Sequence, residues 1–193
     1  MSREYPDRPI AGVGVVVLRE DRVLMIRRGR EPRMGQWSIP GGKQEVGETW
    51  RETAIREVRE ETGVEIEVIG IVDVVDAIVR DGDPPRHGTA EDGTQGVGLA
   101  ATPARSADDD SANDDSADND SNVTALPARI RYHYTLVDCA AAWTGGEPVA
   151  GGDAAHAEWW PLDRLDELSL WTETVRIITE AAALAKAARR EPR

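Results

Sequence analysis

The feature that most constrains this chain is the stretch from Gly41 to Val64, GGKQEVGETWRETAIREVREETGV. From Gly42 it passes through five residues to Glu48, then seven more to the run Arg56-Glu57-Val58-Arg59-Glu60-Glu61-Thr62-Gly63-Val64. Thr49 is a ready N-cap, and Glu52, three residues on, completes a capping box. The residues that follow are mostly acceptable helix formers, and Gly63 is a natural stop in the left-handed conformation. The pattern predicts a helix from about Trp50 to Thr62. At about 100° per residue, Glu57, Glu60 and Glu61 share roughly one third of its circumference. Trp50, Ala54 and Val58 occupy the adjoining arc and would pin the helix to a core.

Three carboxylates so close repel one another unless something cationic sits between them. A divalent ion does that. Ligation by oxygen alone suits a hard ion, Mg²⁺ or Mn²⁺, which keeps several waters and is shared with substrate phosphates. The competing reading is a solvated acidic face laced by Arg51, Arg56 and Arg59. With the glycines and Glu48 in register, the metal reading is preferred.

The flanking sequence supplies strands. AGVGVVVL within residues 9–19 is an apolar, β-branched run expected to be buried on both faces, and RVLMIRR at 22–28 returns from a tight turn at Glu20-Asp21. The basic loop from Arg27 to Arg33 stands just before the glycines. Guanidinium forks match phosphate oxygens, so Arg27 and Arg28 are candidate phosphate ligands. They alternate along a strand end, so at most one points into the site. Trp37 reads as a wall residue ahead of Gly41-Gly42. VEIEVIGIVDVVDAIV at 64–79 and ARIRYHYTLVDCAAAW at 128–143 read as long strands. Tyr132 and Tyr134 share one face of the second, where they either pack a core or sandwich a base, and His133 takes the other. A short strand at 157–160, a helical turn opened by Pro161 and an amphipathic helix at 172–188 complete the chain.

Residues 81–127 hold eleven acids and two bases and almost no large apolar side chain. This tract is expected to be a disordered insert expanding a hairpin connection. It accounts for −9 of the net charge of −13, leaving an unremarkable −4. The acidity argues against nucleic acid as a partner. No apolar run is long enough for a membrane span, the N-terminus lacks a secretory h-region, and Cys139 is alone. The expectation is one domain over 1–193, cytoplasmic, with a homodimer left open.

The stretch 42–64 resembles the Nudix box, matching it at every position. The resemblance implies an α/β/α sandwich with a mixed β-sheet between helices. It implies that Glu57, Glu60 and Glu61 ligate Mg²⁺, that the Gly41 carbonyl joins them, that Glu48 supports the cluster and that Arg56 orients it. It further implies hydrolysis of a phosphoanhydride in a nucleoside diphosphate linked to another moiety. Glu61 or Glu60 would serve as general base, Glu61 being preferred. A later carboxylate, Asp153 or Glu158, or less favourably Glu91, stands as the alternative. The frame RPIAGVGVVV…RRG…GQWSIPGGKQEVGET looks like small bacterial enzymes assigned to ADP-ribose. The proline that follows the box in many of those is Arg80 here, which leaves (d)NTP pyrophosphohydrolysis close behind. A non-catalytic regulator that binds a nucleotide sugar is the alternative from another class. Arg27, Arg28 and Tyr134 are the candidate substrate-binding residues.

Overall fold

The β-branched run near the start of the chain becomes the centre of a sheet. A computed structural model describes residues 3–30, 33–83 and 128–189. All of these belong to one unit of the chain, residues 1–88 with 128–193. In order the elements are β1 (Ile10–Arg19), β2 (Arg22–Arg28), β3 (Trp37–Ser38), β4 (Gly41–Lys43), α1 (Trp50–Thr62), β5 (Glu65–Arg80), β6 (Ile130–Gly145) and β7 (Ala154–Pro161). A 3-10 segment at Leu162–Leu168 and α2 (Thr172–Ala188) follow. The strands run β3-β2-β1-β6-β5 across one sheet, with β4 also on β1 and β7 also on β2. β1 lies parallel to β6 and antiparallel to β2, so the sheet is mixed.

Burial explains why β1 is central. Val13, Val15 and Val17 face α1, packing with Leu24, Ala54, Val58, Cys139 and Ala141. Val16 and Leu18 face α2, packing with Val23, Met25, Ala140, Ile177 and Ile178. Each valine fully removed from water contributes about 1.5–3 kcal/mol. A strand apolar at every position gains this on both faces only when covered by a helix on each side. The chain is thus the α/β sandwich expected, with α1 and α2 as its outer layers.

One irregularity places the site. β1 pairs with β2 only beside their turn, at Leu18↔Val23 and Arg19↔Arg22. Beyond that the two strands part. β3 stays with β2 through Arg27↔Trp37, while β4 joins β1 through Gly14↔Gly41 and Gly12↔Lys43. The Val15 amide donates to the Pro40 carbonyl at 2.9 Å and ties the crossing down. The glycine turn therefore sits where the sheet splits.

β5 and β6 pair antiparallel from Glu65↔Gly145 to Arg80↔Ile130, as two arms of an expanded hairpin. Residues 84–127, nearly all of the acidic insert, lie outside the described residues, and Glu91 with them. Pro161 ends β7 and caps the 3-10 segment at φ −63°, ψ 135°, one place before the first helical position expected for it. No helix among the described residues is long and apolar enough to cross a membrane.

Candidate active site

Local sequence chemistry fixes α1 where its carboxylates are needed. The capping box forms: the Glu52 amide donates to Thr49 Oγ1 at 3.3 Å, and the Thr49 amide donates to Glu52 Oε2 at 2.7 Å. At the other end Gly63 adopts φ 67° and its amide reaches the Arg59 carbonyl. The next carbonyls are capped from outside. The β6–β7 loop donates Val149 N–H to Thr62 O and Gly151 N–H to Glu61 O, each at 2.9 Å. A Cβ on Gly151 would stand 2.6 Å from the Glu60 carbonyl, so only glycine permits this approach.

Two carboxylates come together beside the glycine turn. Glu61 is only 6% exposed and accepts a hydrogen bond from the Gly41 amide at 2.9 Å. Burial pushes its pKa up to about 7; Glu57 and Asp153 push the same way, while the Gly41 amide and Arg28 oppose. Glu57 is also raised, again chiefly by burial, against the guanidinium of Arg56. Its carboxylate lies so near Gly42 that a Cβ there would meet Oε1 at 2.3 Å. Gly41 has φ 150°, and a side chain would strike the Val13 carbonyl at 2.2 Å. Glycine is thus required at 41, where backbone stands in the way, while at 42 its lack of a side chain leaves room for the Glu57 carboxylate.

Arg56 organises the rest. Its Nε and Nη2 fork onto the Glu48 carboxylate at 2.7 and 3.0 Å, and Nη2 also donates to the Lys43 carbonyl at 3.1 Å. Nη1 donates to Glu57 at 2.8 Å and to Glu60 at 3.3 Å. The fork holds Glu48 at a pKa of about 2. Glu48 is thus committed to the same guanidinium that holds Glu57. Glu60 turns outward, 56% exposed.

The remaining candidates divide by sheet face. Arg28 lies on the side of Glu61 and lowers its pKa. Arg27 alternates to the face of α2 and donates Nε to the Gly35 carbonyl at 2.8 Å. The two thus leave β2 on opposite sides of the sheet, as alternation requires. Tyr134 pairs with Ile10 and Ala77 and, by pleating, shares the face of Ala140 toward α2, away from α1. Asp153 is held by Arg30 at 2.9 Å, close enough to perturb Glu57 and Glu61. Glu158 stands opposite Met25 on the α2 face, beside His156. The sequence reading missed the β6–β7 loop as a cap for α1. Its paired glycines, Gly145-Gly146 and Gly151-Gly152, are the available signal, and by themselves they indicate only turns.

Among the described residues no three Asp, Glu, His or Cys side chains already stand in ligating positions. The donor set nevertheless fits a hard divalent ion. Glu61 is buried with the Gly41 amide as its hydrogen-bond donor and a second carboxylate beside it, and Arg28 offsets its burial only in part, so a cation would favour its ionised form. Glu60 is exposed, at the weaker of the two contacts that Arg56 Nη1 makes.

A family model described as NUDIX domain matches residues 8–118. Over 68 residues the chain is 44% identical to an uncharacterised Nudix hydrolase, YvcI, of Bacillus subtilis, covering 35% of this chain and 41% of that protein. Over 79 residues it is 34% identical to an ADP-ribose pyrophosphatase of Methanocaldococcus jannaschii, covering 41% and 46%. The chain thus spans less than half the length of these two curated relatives. In fold it is similar to the crystal structure of an ADP-ribose pyrophosphatase from Streptococcus suis, with a TM-score of 0.52, 19% identity and 96% of each chain covered. With the NUDIX match extending over more than half of its residues, this chain belongs to the NUDIX domain family.

Proposed function

We propose that this chain hydrolyses a phosphoanhydride bond in a nucleoside diphosphate derivative, with ADP-ribose as the first substrate to try and Mg²⁺ as the ion, Mn²⁺ substituting. Nudix hydrolases generally use a divalent metal. Glu57, Glu60 and Glu61 would hold it here. When bound, the ion would neutralise charge on the diphosphate and make an attacking water easier to deprotonate.

The chain's own groups supply the rest. Arg56, locked by its fork to Glu48, fixes the rotamer of Glu57. Arg28, on the side of Glu61, orients the phosphates as they enter. The water oxygen bonds to phosphorus in line, the bridging oxygen departs with its electron pair on the leaving phosphate, and the water proton passes to a carboxylate. Glu61 is assigned that proton, with Asp153 the alternative. For ADP-ribose the products are AMP and ribose 5-phosphate. A small nucleotide is the partner, and a cytoplasmic setting is consistent with it.

The observation that carries this reading is the pairing of buried Glu61 with half-buried Glu57 beside the split in the sheet. The test is Glu57→Gln and Glu61→Gln, assayed with Mg²⁺ on a panel of ADP-ribose, nucleotide sugars and (d)NTPs. Loss of turnover in both variants is expected. Wild-type turnover in both would refute the assignment.

A further inference from the structure

The end of β2 carries a second surface that the hydrolytic step does not use. Register sets Trp37 of β3 and His156 of β7 on either side of Arg27, and pleating turns all three side chains to the α2 face. Above Arg27 the two rings meet edge to face, with centroids 5.7 Å apart and planes at 83°. Trp160 backs Trp37 at 6.0 Å. His156 Nε2 lies 3.4 Å from Glu158, which steadies the imidazole. Arg27, Trp37 and His156, with Met34 and Ala155, line a cavity of about 540 Å³, and Arg28 lines it too. Arg28 thus lines the cavity, and its charge also acts on Glu61.

We propose that this cavity receives the nucleobase of the substrate, stacked on the exposed His156 ring with Trp37 at its side, while Arg28 leads its phosphates toward Glu57 and Glu61. The inference rests on the reading above that the substrate is a nucleoside diphosphate derivative. Three features support it. The volume falls within the range of small-molecule pockets. Aromatic faces bind any base through its π surface, and an adjacent guanidinium adds a cation–π contribution. Met34 is 61% exposed and the His156 side chain 55% exposed, although both line the cavity. Residues serving only to close the core beneath α2 would be covered.

The experiment compares AMP with ribose 5-phosphate by titration calorimetry in EDTA, so that no ion contributes. Base stacking of this kind corresponds to roughly 5- to 150-fold in affinity. Wild-type protein is expected to prefer AMP by about 10-fold or more. His156→Ala removes a ring and Met34→Glu puts a charge at the mouth; both sit at exposed positions, and their melting curves check that they fold. Each should erase most of the preference. Equal affinity for the two ligands in wild type, or an undiminished preference in both variants, overturns the proposal. The outcomes separate from those of the functional reading. A base preference without turnover of any nucleotide would sink hydrolysis and leave the pocket. Turnover without a base preference would do the reverse.

Discussion

Replacing Gly42 with alanine tests whether the position of Glu57, beyond its charge, matters. A Cβ at 42 would stand 2.3 Å from Glu57 Oε1 and 2.4 Å from Cδ, where ordinary contact begins at 3.4 Å. The carboxylate must retreat by about 1 Å, while Arg56 holds the same Oε1 at 2.8 Å. A reacting constellation displaced by about 1 Å loses on the order of 100-fold in rate, or about 2.7 kcal/mol of transition-state stabilisation. The fold should be spared. Gly42 is not among the glycines at positive φ, so alanine meets no backbone strain there and removes some freedom from the unfolded chain. The assay is steady-state turnover of ADP-ribose with Mg²⁺, run beside a thermal melt. Glu57→Asp in the Gly42→Ala background shortens the side chain and should recover part of the loss. A Gly42→Ala protein that melts like wild type and keeps kcat within about threefold would refute the reasoning.

Other outcomes follow from the same geometry. Thr49→Ala removes one half of the capping box and should cost about 1 kcal/mol, read as a fall in Tm of about 2–4 °C. Gly151→Ala would drive a Cβ against the Glu60 carbonyl and break two hydrogen bonds to the end of α1. At about 0.5–1.5 kcal/mol each, a melt should show the loss, and turnover should fall with it because Glu61 and Asp153 share that anchorage. Asp138 is buried near Asp73 and Glu173, with Arg176 only partly offsetting them, and its pKa is pushed up from 3.8 to about 7, chiefly by burial. The folded state then binds more protons than the unfolded state between those values, so stability falls as pH rises through that window and levels off above it. Asp138→Asn stays neutral throughout. Its Tm relative to wild type should therefore rise between pH 4 and pH 7, as melts across that range would show.

How much was legible in the sequence depended on the range of the interactions. The bounds of α1 were, because Thr49, Glu52 and Gly63 act within a turn of their own positions. The central place of β1 was also legible, since a strand apolar at every residue must be covered twice. Alternation told that Arg27 and Arg28 part company, but not which one meets the carboxylates. That depends on the face α1 takes, a choice made by Val13, Val15 and Val17 packing against Ala54 and Val58. Tyr134 was picked out for its ring, yet its register opposite Ile10 sets it on the α2 face of the sheet. The β6–β7 loop was the least legible. Gly151 means little until the Glu60 carbonyl is beside it, nearly a hundred residues away in the chain. His156 likewise gains its meaning only from Trp37, which lies two strands across the sheet.

The central claim is that one face of α1 holds a divalent ion. The most direct measurement is the EPR signal of free Mn²⁺ during titration into the protein, which counts the bound ion without any reaction. Wild-type protein should take up Mn²⁺, and Glu57→Gln or Glu61→Gln should weaken uptake by about 10-fold or more, as expected when a charged ligand is lost. Uptake by both variants equal to that of wild type would contradict the account.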